Sequence, residues 1–372
     1  MRSAVIFLVL LLSFEASAGP RVDVPQGRLT VDERAVLAAA YMGYIQRKTG
    51  YFSYEFDFVS GSWSRADELV RQAGASYGLS EYLLTHDDAI AKSVVEKAIK
   101  AYRNNSVSFK QGKLLADQLD LSKAETGATA LALIGALQYA KATGDHQFDA
   151  DIQAWKEGLV TLYHPKGGFA GGPNDPEESP YFNGEGWLAL SVYAEHYPRD
   201  ERVKSILSAL DAAMVKLYKA EPDIGFFHWG LMATARRYGQ TKDIQLIEFG
   251  AQQVNHFLTE MRPNFDEEVN SCYSVEGMAA VLPVLQKVPK HAALAARLHT
   301  RIRQEMNKNI GMQITPDQKM LVLVGGRTLS APELPRYAGA FINGLDRPQI
   351  RIDFTQHCLS ALLKSEPYLG DQ

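Results

Sequence analysis

The chain has 372 residues, of which 46% are hydrophobic and 22% are charged, and its formal net charge is −4. A chain of this length and composition can bury a large core, which excludes an intrinsically disordered protein. The lack of a basic excess argues against binding of nucleic acid through its phosphate backbone. Two cysteines are too few for a disulfide scaffold or a multi-cysteine zinc site.

Residues 1–18 have the pattern of a secretory signal peptide. Arg2 provides a positive charge, residues 4–12 form an apolar segment, and an A-x-A cleavage pattern ends at Ala18. No later segment is apolar over the roughly 20 residues that a membrane-spanning helix requires. We therefore expect a periplasmic or secreted protein with no integral membrane segment after cleavage and with one domain over residues 19–372. An uncleaved N-terminal anchor is the alternative.

The expected compartment bears on the two cysteines. An oxidising environment permits a disulfide between Cys272 and Cys358. Two buried free thiols explain the same residues equally well, because unpaired cysteine is among the most buried residue types. The sequence leaves both alternatives open.

Twelve segments with helical periodicity follow one another along the chain and form six pairs. They cover residues 31–49, 65–85, 87–103, 125–143, 149–163, 181–197, 200–219, 227–238, 242–261, 272–288, 290–309 and 356–364. In most pairs one helix is apolar on every side, which is typical of a buried helix, and the other is amphipathic. The apolar helices begin mostly at intervals of roughly 45–55 residues, as in a helical-hairpin repeat. Their starts lie near Arg71, Glu125, Tyr181, His228, Cys272 and Gln356.

Six helical hairpins can stack as an open solenoid or close into a ring. A solenoid needs polar terminal repeats, whereas the last helix contains the apolar sequence CLSALL. The pattern therefore favours an all-α fold, an (α/α)6 toroid of six helical hairpins. A short strand-like segment at residues 320–324 (MLVLV) precedes the last helix, and residues 51–58 (YFSYEFDF) also predict a strand.

Polar and aromatic residues stand at the start of each apolar helix. In a toroid these helices run in the same direction, so we expect their first turns to surround one mouth of the ring. Glu185 lies in the apolar segment FNGEGWLAL, where an unpaired carboxylate is costly, and Glu276 has a similar setting. Both features favour a functional role over a structural one. The candidate catalytic carboxylates are Asp67, Glu125, Glu185, Glu276 and Asp353.

For three of these carboxylates, the sequence allows a purely structural role as well as a functional one. Asp67 is placed to form an ion pair with Arg71. Glu125 stands where a carboxylate stabilises a helix dipole. Asp353 is placed to brace its neighbour Arg351 near one helix start, which we favour slightly over direct catalysis.

The remaining residues at these helix starts suit a sugar. Aromatic rings stack on the apolar faces of pyranoses, and amide or charged side chains bond the hydroxyls. Histidines have no metal-ligand spacing, and no nucleotide-binding motif is present, so we predict neither a metal nor a cofactor. The acidic, glycine-rich loop at residues 167–180 suggests a plain connector rather than a lid or a calcium loop. The candidate substrate-binding residues are Arg71, Gln72, Tyr77, Tyr181, Asn183, Trp187, His228, Trp229, Tyr273, Arg351 and His357.

The hairpin series over residues 31–366 resembles the six-hairpin glycosidase-like (α/α)6 toroid superfamily. The segments ETGATALALIGALQYAKATGD, from Glu125, and PYFNGEGWLALSVYAE, from Pro180, carry this resemblance together with the repeat pattern. The superfamily includes glycoside hydrolases, polysaccharide lyases and sugar epimerases. The resemblance implies a carbohydrate substrate, but the fold alone does not fix the reaction.

The leading hypothesis is therefore an exported glycoside hydrolase that acts on a bacterial polysaccharide or its oligosaccharides through two carboxylates. Glu185, among aromatic residues, suits a general acid of raised pKa. A uronate lyase or an epimerase is the alternative enzyme, in which Arg71, Asn183, Tyr181 and His228 would bind the carboxylate and move a proton. A non-catalytic glycan-binding or scaffold protein in polysaccharide export is the alternative from another class.

Overall fold

The computed structural model describes residues 29–164 and 167–370. The predicted signal peptide lies outside the described residues. The described part contains twelve α-helices that correspond one to one with the predicted segments. They are α1 Val31–Tyr44, α2 Leu69–Tyr82, α3 Ala89–Asn104, α4 Thr126–Thr143, α5 Asp149–Leu162, α6 Pro180–His196, α7 Glu201–Ala220, α8 Ile224–Thr241, α9 Ile244–His256, α10 Cys272–Leu285, α11 Ala292–Ile310 and α12 Ile352–Leu369.

The even-numbered helices form a closed inner ring. Each of α2, α4, α6, α8 and α10 packs against the next even-numbered helix, and α12 packs back against α2. The odd-numbered helices lie outside, each against at least one helix of the ring. This arrangement confirms the predicted (α/α)6 toroid and excludes the open solenoid. None of the helices in the described ranges is long and apolar enough to cross a membrane.

The composition of the helices explains which of them lie inside. In α4 every residue from 126 to 140 is buried, and most of them are alanine, glycine or leucine. A helix that is apolar on every side can bury all of its apolar surface only when other helices surround it. Helix α3 is amphipathic instead: it buries Val95 and Ile99 and exposes Lys97 and Lys100. The sequence therefore sorts the two layers by hydrophobic pattern.

Short strands close the ring and extend the loops. Strand β1 (Glu55–Asp57) pairs on one side with β2 (Ser62–Trp63) and on the other with β9 (Gln349–Arg351), both antiparallel. The pairing of β1 with β9 joins the two ends of the folded chain. Strand β7 (Met320–Val322) pairs with β8 (Thr328–Ser330). The predicted strands within residues 51–58 and 320–324 are thus confirmed.

Two hairpins were not predicted. Strands β3 (Ser106–Phe109) and β4 (Gly112–Leu115) form one, with Lys110 at positive φ in its turn. Strands β5 (Ala170–Gly172) and β6 (Asp175–Glu178) form the other, in the glycine-rich loop that we had expected to be a plain connector. Strands this short carry too little alternating pattern for recognition from sequence.

The two cysteines form a disulfide between Cys272 and Cys358, with their Cα atoms 4.8 Å apart. Cys272 is the first residue of α10, and Cys358 lies in the second turn of α12. The bond therefore fixes two adjacent inner helices at the mouth where their first turns lie. Of the two alternatives that the sequence left open, the structure has the disulfide.

Candidate active site

A cavity of about 1100 Å³ opens at the mouth formed by the first turns of the inner helices. Loops that follow outer helices complete its wall. The structure brings twelve of the sixteen predicted site residues to this cavity. Five of the six inner helices contribute residues, and Asp67, Glu125 and Arg351 lie in the segments just before inner helices. The twelve are Asp67, Arg71, Gln72, Glu125, Tyr181, Glu185, His228, Trp229, Tyr273, Arg351, Asp353 and His357.

Glu185 is a buried carboxyl group at the cavity wall. Its Oε2 atom has no hydrogen-bond partner among the described residues. Burial, followed by the negative charge of Glu125, raises the pKa of Glu185 from 4.5 to about 8. Glu185 is therefore protonated at neutral pH and can donate a proton to a bound molecule.

Glu125 provides a second carboxylate beside Glu185. It occupies the N-cap position of α4, yet its side chain makes no capping hydrogen bond, which leaves it free to face the cavity. Partial desolvation, followed by the charge of Glu68, raises the pKa of Glu125, while Arg71 lowers it. The two carboxyl groups differ in burial, so their environments separate their pKa values and suit them to different roles.

Asp353 braces two arginines at the cavity wall. Its carboxylate accepts hydrogen bonds from Nε of Arg71 at 3.0 Å and from Nε of Arg351 at 2.6 Å. Arg71 also pairs with Glu68, and Arg351 lies 3.7 Å from a carboxylate oxygen of Glu55. The charges of both arginines are thus balanced by protein carboxylates.

Asp67 has a different partner from the one expected. Its carboxylate pairs with Arg47 at 2.7 Å and accepts a hydrogen bond from Gln72 at 2.6 Å. The ion pair between Asp67 and Arg71 that the sequence left open does not form, because Arg71 is directed towards Asp353. The side chain of Gln72 also accepts a hydrogen bond from the backbone N–H of Phe52 and donates one to the backbone carbonyl of Phe52. Gln72 therefore holds this part of the cavity wall in place.

His228, Glu276 and His357 meet at one side of the cavity. Nδ1 of His357 lies 2.6 Å from Oε2 of the fully buried Glu276. His228 is 3% exposed, and neither of its ring nitrogens has a partner among the described residues. Burial, followed by the charge of His357, lowers the pKa of His228 well below its ordinary value, so the ring is neutral.

The structure brings together three side chains that could hold a metal ion, although the histidines have no metal-ligand spacing in the sequence. The ligand atoms of His228, Glu276 and His357 all lie within 4.8 Å of one another. They come from α8, α10 and α12, which are adjacent in the ring but far apart in sequence. A search for local ligand spacing cannot detect such a set.

Three predicted sugar-binding residues lie away from the cavity. Trp187 is 0% exposed, and its Nε1 donates to Asp211 on α7 at 2.9 Å. The hydroxyl group of Tyr77 is directed to Met232 in the core. Asn183 is buried, and its Oδ1 accepts a hydrogen bond from the backbone amide of Phe169, just before β5, at 2.8 Å. The structure therefore places these three side chains in contacts that support the ring, outside the lining of this cavity.

Other polar residues line the cavity without having been predicted. Glu68 follows Asp67 in sequence, and this proximity was the only signal for it. The others lie in loops and near hairpins, whose positions the helical pattern does not determine. They include Asn105, Asp117, Asn270 and Asn343.

Comparison with solved structures identifies the fold. An inactive variant of the alpha-1,6-mannanase GH76A of Salegentibacter sp. HEL1_6, in complex with alpha-1,6-mannotetrose, superposes with a TM-score of 0.65 at 11% identity over 91% of this chain and 100% of that chain. The GH76 alpha-mannanase BT2949 of Bacteroides thetaiotaomicron gives 0.65 at 9% identity over 92% and 97%. An unsaturated glucuronyl hydrolase specific for heparin gives 0.59 at 11% identity over 92% and 98%.

The chain thus has the six-hairpin (α/α)6 toroid fold of these glycosidases, as the sequence resemblance implied. No protein-family model matches the chain, and no curated protein matches it in sequence. At these identities the likeness defines the fold, whereas the reaction depends on the site.

Proposed function

We propose that the protein is an exported glycoside hydrolase of a bacterial polysaccharide or its oligosaccharides, with Glu185 as the general acid and Glu125 as the second carboxylate. The observation that carries the proposal is the protonated, unpartnered carboxyl group of Glu185 at the wall of a large cavity. A glycosidic oxygen needs a proton as its bond to the sugar breaks. Glu125, when ionised, takes the role of the second carboxylate, which is either the general base or the nucleophile.

The cavity supplies contacts that suit a sugar. Tyr181 is 52% exposed and stands at the cavity, and Tyr273 and Trp229 add further aromatic surface. Such rings stack on pyranose faces. The solved mannanase structure that superposes on this chain holds alpha-1,6-mannotetrose, which supports an oligosaccharide as the ligand class.

The charge balance of the wall favours a neutral sugar over a uronate. A uronate carboxylate binds most strongly where a cation is free to pair with it. Arg71 is paired with Asp353 and Glu68, and Arg351 is paired with Asp353 and lies near Glu55. Neither arginine is therefore available without loss of an existing ion pair.

The disulfide supports the proposed export. Disulfides persist in oxidising compartments and are rare in the reducing cytosol. The bond between Cys272 and Cys358 is consistent with the signal-peptide pattern of residues 1–18. Together these features support a periplasmic or secreted location.

A uronate lyase or sugar epimerase is the second candidate. Its support is the position of His228, which lines the cavity with both ring nitrogens unpartnered among the described residues. An unprotonated ring nitrogen at that position could accept a proton from a sugar carbon. The paired state of the arginines weighs against the uronate form of this candidate.

The test is to expose the mature chain, from residue 19, to a panel of neutral and uronate-containing polysaccharides. Released reducing ends and thermal shift are measured in parallel, with Glu185→Gln and Glu125→Gln as variants and the exposed Glu201→Gln as the matched control. We expect reducing ends from a neutral polysaccharide, no turnover with Glu185→Gln, and unchanged turnover with the control. An unsaturated, ultraviolet-absorbing product would support the lyase instead. A thermal shift without any cleavage would support a glycan-binding protein.

A further inference from the structure

We propose that His228, Glu276 and His357 form a binding site for one divalent transition-metal ion at the side of the cavity. This inference goes beyond the proposed hydrolysis, which uses Glu185 and Glu125 and requires no ion. The site is built from residues of three consecutive inner helices, α8, α10 and α12.

The distances between the donor atoms fit one small ion after a modest closure. All three ligand atoms lie within 4.8 Å of one another, and Oε2 of Glu276 lies 2.6 Å from Nδ1 of His357. Bonds of about 2.1 Å in a tetrahedral arrangement place donor atoms about 3.4 Å apart. An ion therefore requires side-chain shifts on the order of 1 Å and no rearrangement of the helices.

Unsatisfied buried atoms point to a missing ligand. Oε1 of Glu276, Nδ1 of His228 and Nε2 of His228 have no hydrogen-bond partner among the described residues. Glu276 is 0% exposed, and His228 is 3% exposed. A buried polar atom without a partner is costly, and native structures contain few of them. The hydrogen bond between Glu276 and His357 leaves Oε1 of Glu276 and both ring nitrogens of His228 without a partner among the described residues. A bound ion would give each of the two side chains, Glu276 and His228, a partner.

The donor set selects the class of ion. Two imidazoles and one carboxylate suit Zn²⁺ and its first-row neighbours, while Ca²⁺ and Mg²⁺ prefer oxygen ligands only. Three protein ligands leave at least one coordination position open, as in catalytic zinc sites. His228 and His357 both line the cavity, so the open position is accessible to water or to a sugar hydroxyl.

The surrounding structure holds the ligands in place. The backbone of His228 packs directly against Gly277, and a Cβ atom at position 277 would lie 2.7 Å from Cα of His228. The disulfide joins α10 and α12 one turn before Glu276 and one residue after His357. Ligands on rigid, cross-linked helices are pre-organised for binding.

The test uses the untagged mature protein, stripped with a chelator and then titrated with Zn²⁺ in a calorimeter in the absence of any sugar. Bound zinc after desalting is counted by mass spectrometry, and Co²⁺ is added separately to record its visible absorption. We expect one ion per chain and a higher midpoint of thermal unfolding with zinc. Glu276→Gln and His357→Ala should each weaken binding at least about tenfold, which is the lower end of the losses seen when the surroundings of a metal are altered.

The matched control is His146→Ala, which removes an imidazole whose side chain is 71% exposed and should leave the affinity unchanged. Near-ultraviolet circular dichroism establishes that each variant is folded. If Glu276→Gln does not fold, His357→Ala carries the test, since His357 is only partly buried at the cavity wall. Absence of binding, or binding that survives both substitutions, would overturn the metal site. Because no sugar is used, either result leaves the proposed hydrolysis to be judged separately.

Discussion

The carboxylate of Glu185 on α6 occupies the space that Gly127 on α4 leaves by having no side chain. An added Cβ atom at position 127 would overlap with Oε2 of Glu185. The inner helices α4 and α6 pack directly against each other, so neither backbone can retreat without disturbing the ring. The position of the proposed acid therefore depends on a glycine in the neighbouring helix.

Gly127→Ala should displace the Glu185 carboxyl group and reduce turnover on the order of 100-fold, because a misplacement of about 1 Å has that effect on catalysis. Gly135→Ala is the matched control in the same helix, since a Cβ atom there meets nothing closer than 3.5 Å. The control should keep its activity and gain about 0.5–1 kcal/mol of stability from helix propensity. Reducing-end assays and chemical denaturation measure both effects, and equal activity in the two variants would contradict the argument.

Glu185 should make the stability of the protein depend on pH. Its pKa is raised from 4.5 in the unfolded chain to about 8 in the folded one, so the folded state holds the proton more tightly. The contribution of Glu185 to the free energy of unfolding should be highest below about pH 4.5. It should then fall by about 1.4 kcal/mol per pH unit up to about pH 8.

Glu185→Gln removes this titration and should flatten that part of the stability profile. Denaturant titrations of both proteins at a series of pH values provide the comparison. In the unmodified protein, the proposed turnover should also decline as the pH rises through about 8, because Glu185 loses its proton. A stability profile with the same slope in both proteins would show that Glu185 is ionised in the fold.

Asp353→Asn should leave Arg71 and Arg351 without their shared carboxylate. Breaking a largely buried ion pair costs about 3–5 kcal/mol, so a large drop in the midpoint of chemical denaturation is expected. Asp346→Asn is the comparison, since its pair with Arg347 is exposed and such pairs contribute at most about 1 kcal/mol. Equal effects of the two substitutions would refute a bracing role for Asp353.

Loss of the disulfide should destabilise the fold strongly. The bond closes a loop between positions separated by 86 residues, and the chain-entropy relation gives an upper estimate of roughly 4–5 kcal/mol. The double variant Cys272→Ser/Cys358→Ser, compared with the oxidised protein by denaturant titration, measures this contribution. Addition of a reducing agent should destabilise the oxidised protein and leave the double variant unchanged. Matching stabilities of the two proteins would mean that the bond contributes nothing.

Tyr181 and Trp187 should respond in opposite ways. Tyr181→Ala removes an exposed ring at the cavity and should weaken oligosaccharide binding with little change in stability. Trp187→Phe should keep binding but cost about 2–3 kcal/mol, because it opens a void and leaves Asp211 without one donor. Calorimetric titration with an oligosaccharide that the panel identifies, together with thermal unfolding, separates the two effects. Weakened binding in Trp187→Phe alone would reverse the assignment.

The fold was predictable because hydrophobic pattern decides which helices lie inside. The direction of each side chain was less predictable. Glu185 and Trp187 are two residues apart on α6, which rotates them by about 200° around the helix. One therefore reaches the cavity and the other reaches Asp211 on α7. Sequence proximity to a helix start identifies the correct turn but not the correct face.

Residues from distant segments were the hardest to predict. His228, Glu276 and His357 were each identified at a helix start, yet nothing in their spacing indicated that the three side chains meet. The same limit applies to Asn270 and Asn343, because loop positions follow from the closed ring and not from local periodicity. The pairing of Asp67 with Arg47 rather than Arg71 is a further consequence of tertiary geometry.

The closure of the ring through β1, β9 and α12 determines the stage of folding at which the cavity forms. Strand β9 and helix α12 are the last elements of the chain, yet they contact α1, α2 and β1 at its beginning. Contacts of such large sequence separation form slowly, since a long loop must close before they add stability. A chain that emerges N-terminus first can therefore form five of the six inner helices before the cavity is complete. The cavity wall is complete only once α12 docks against α1 and α2.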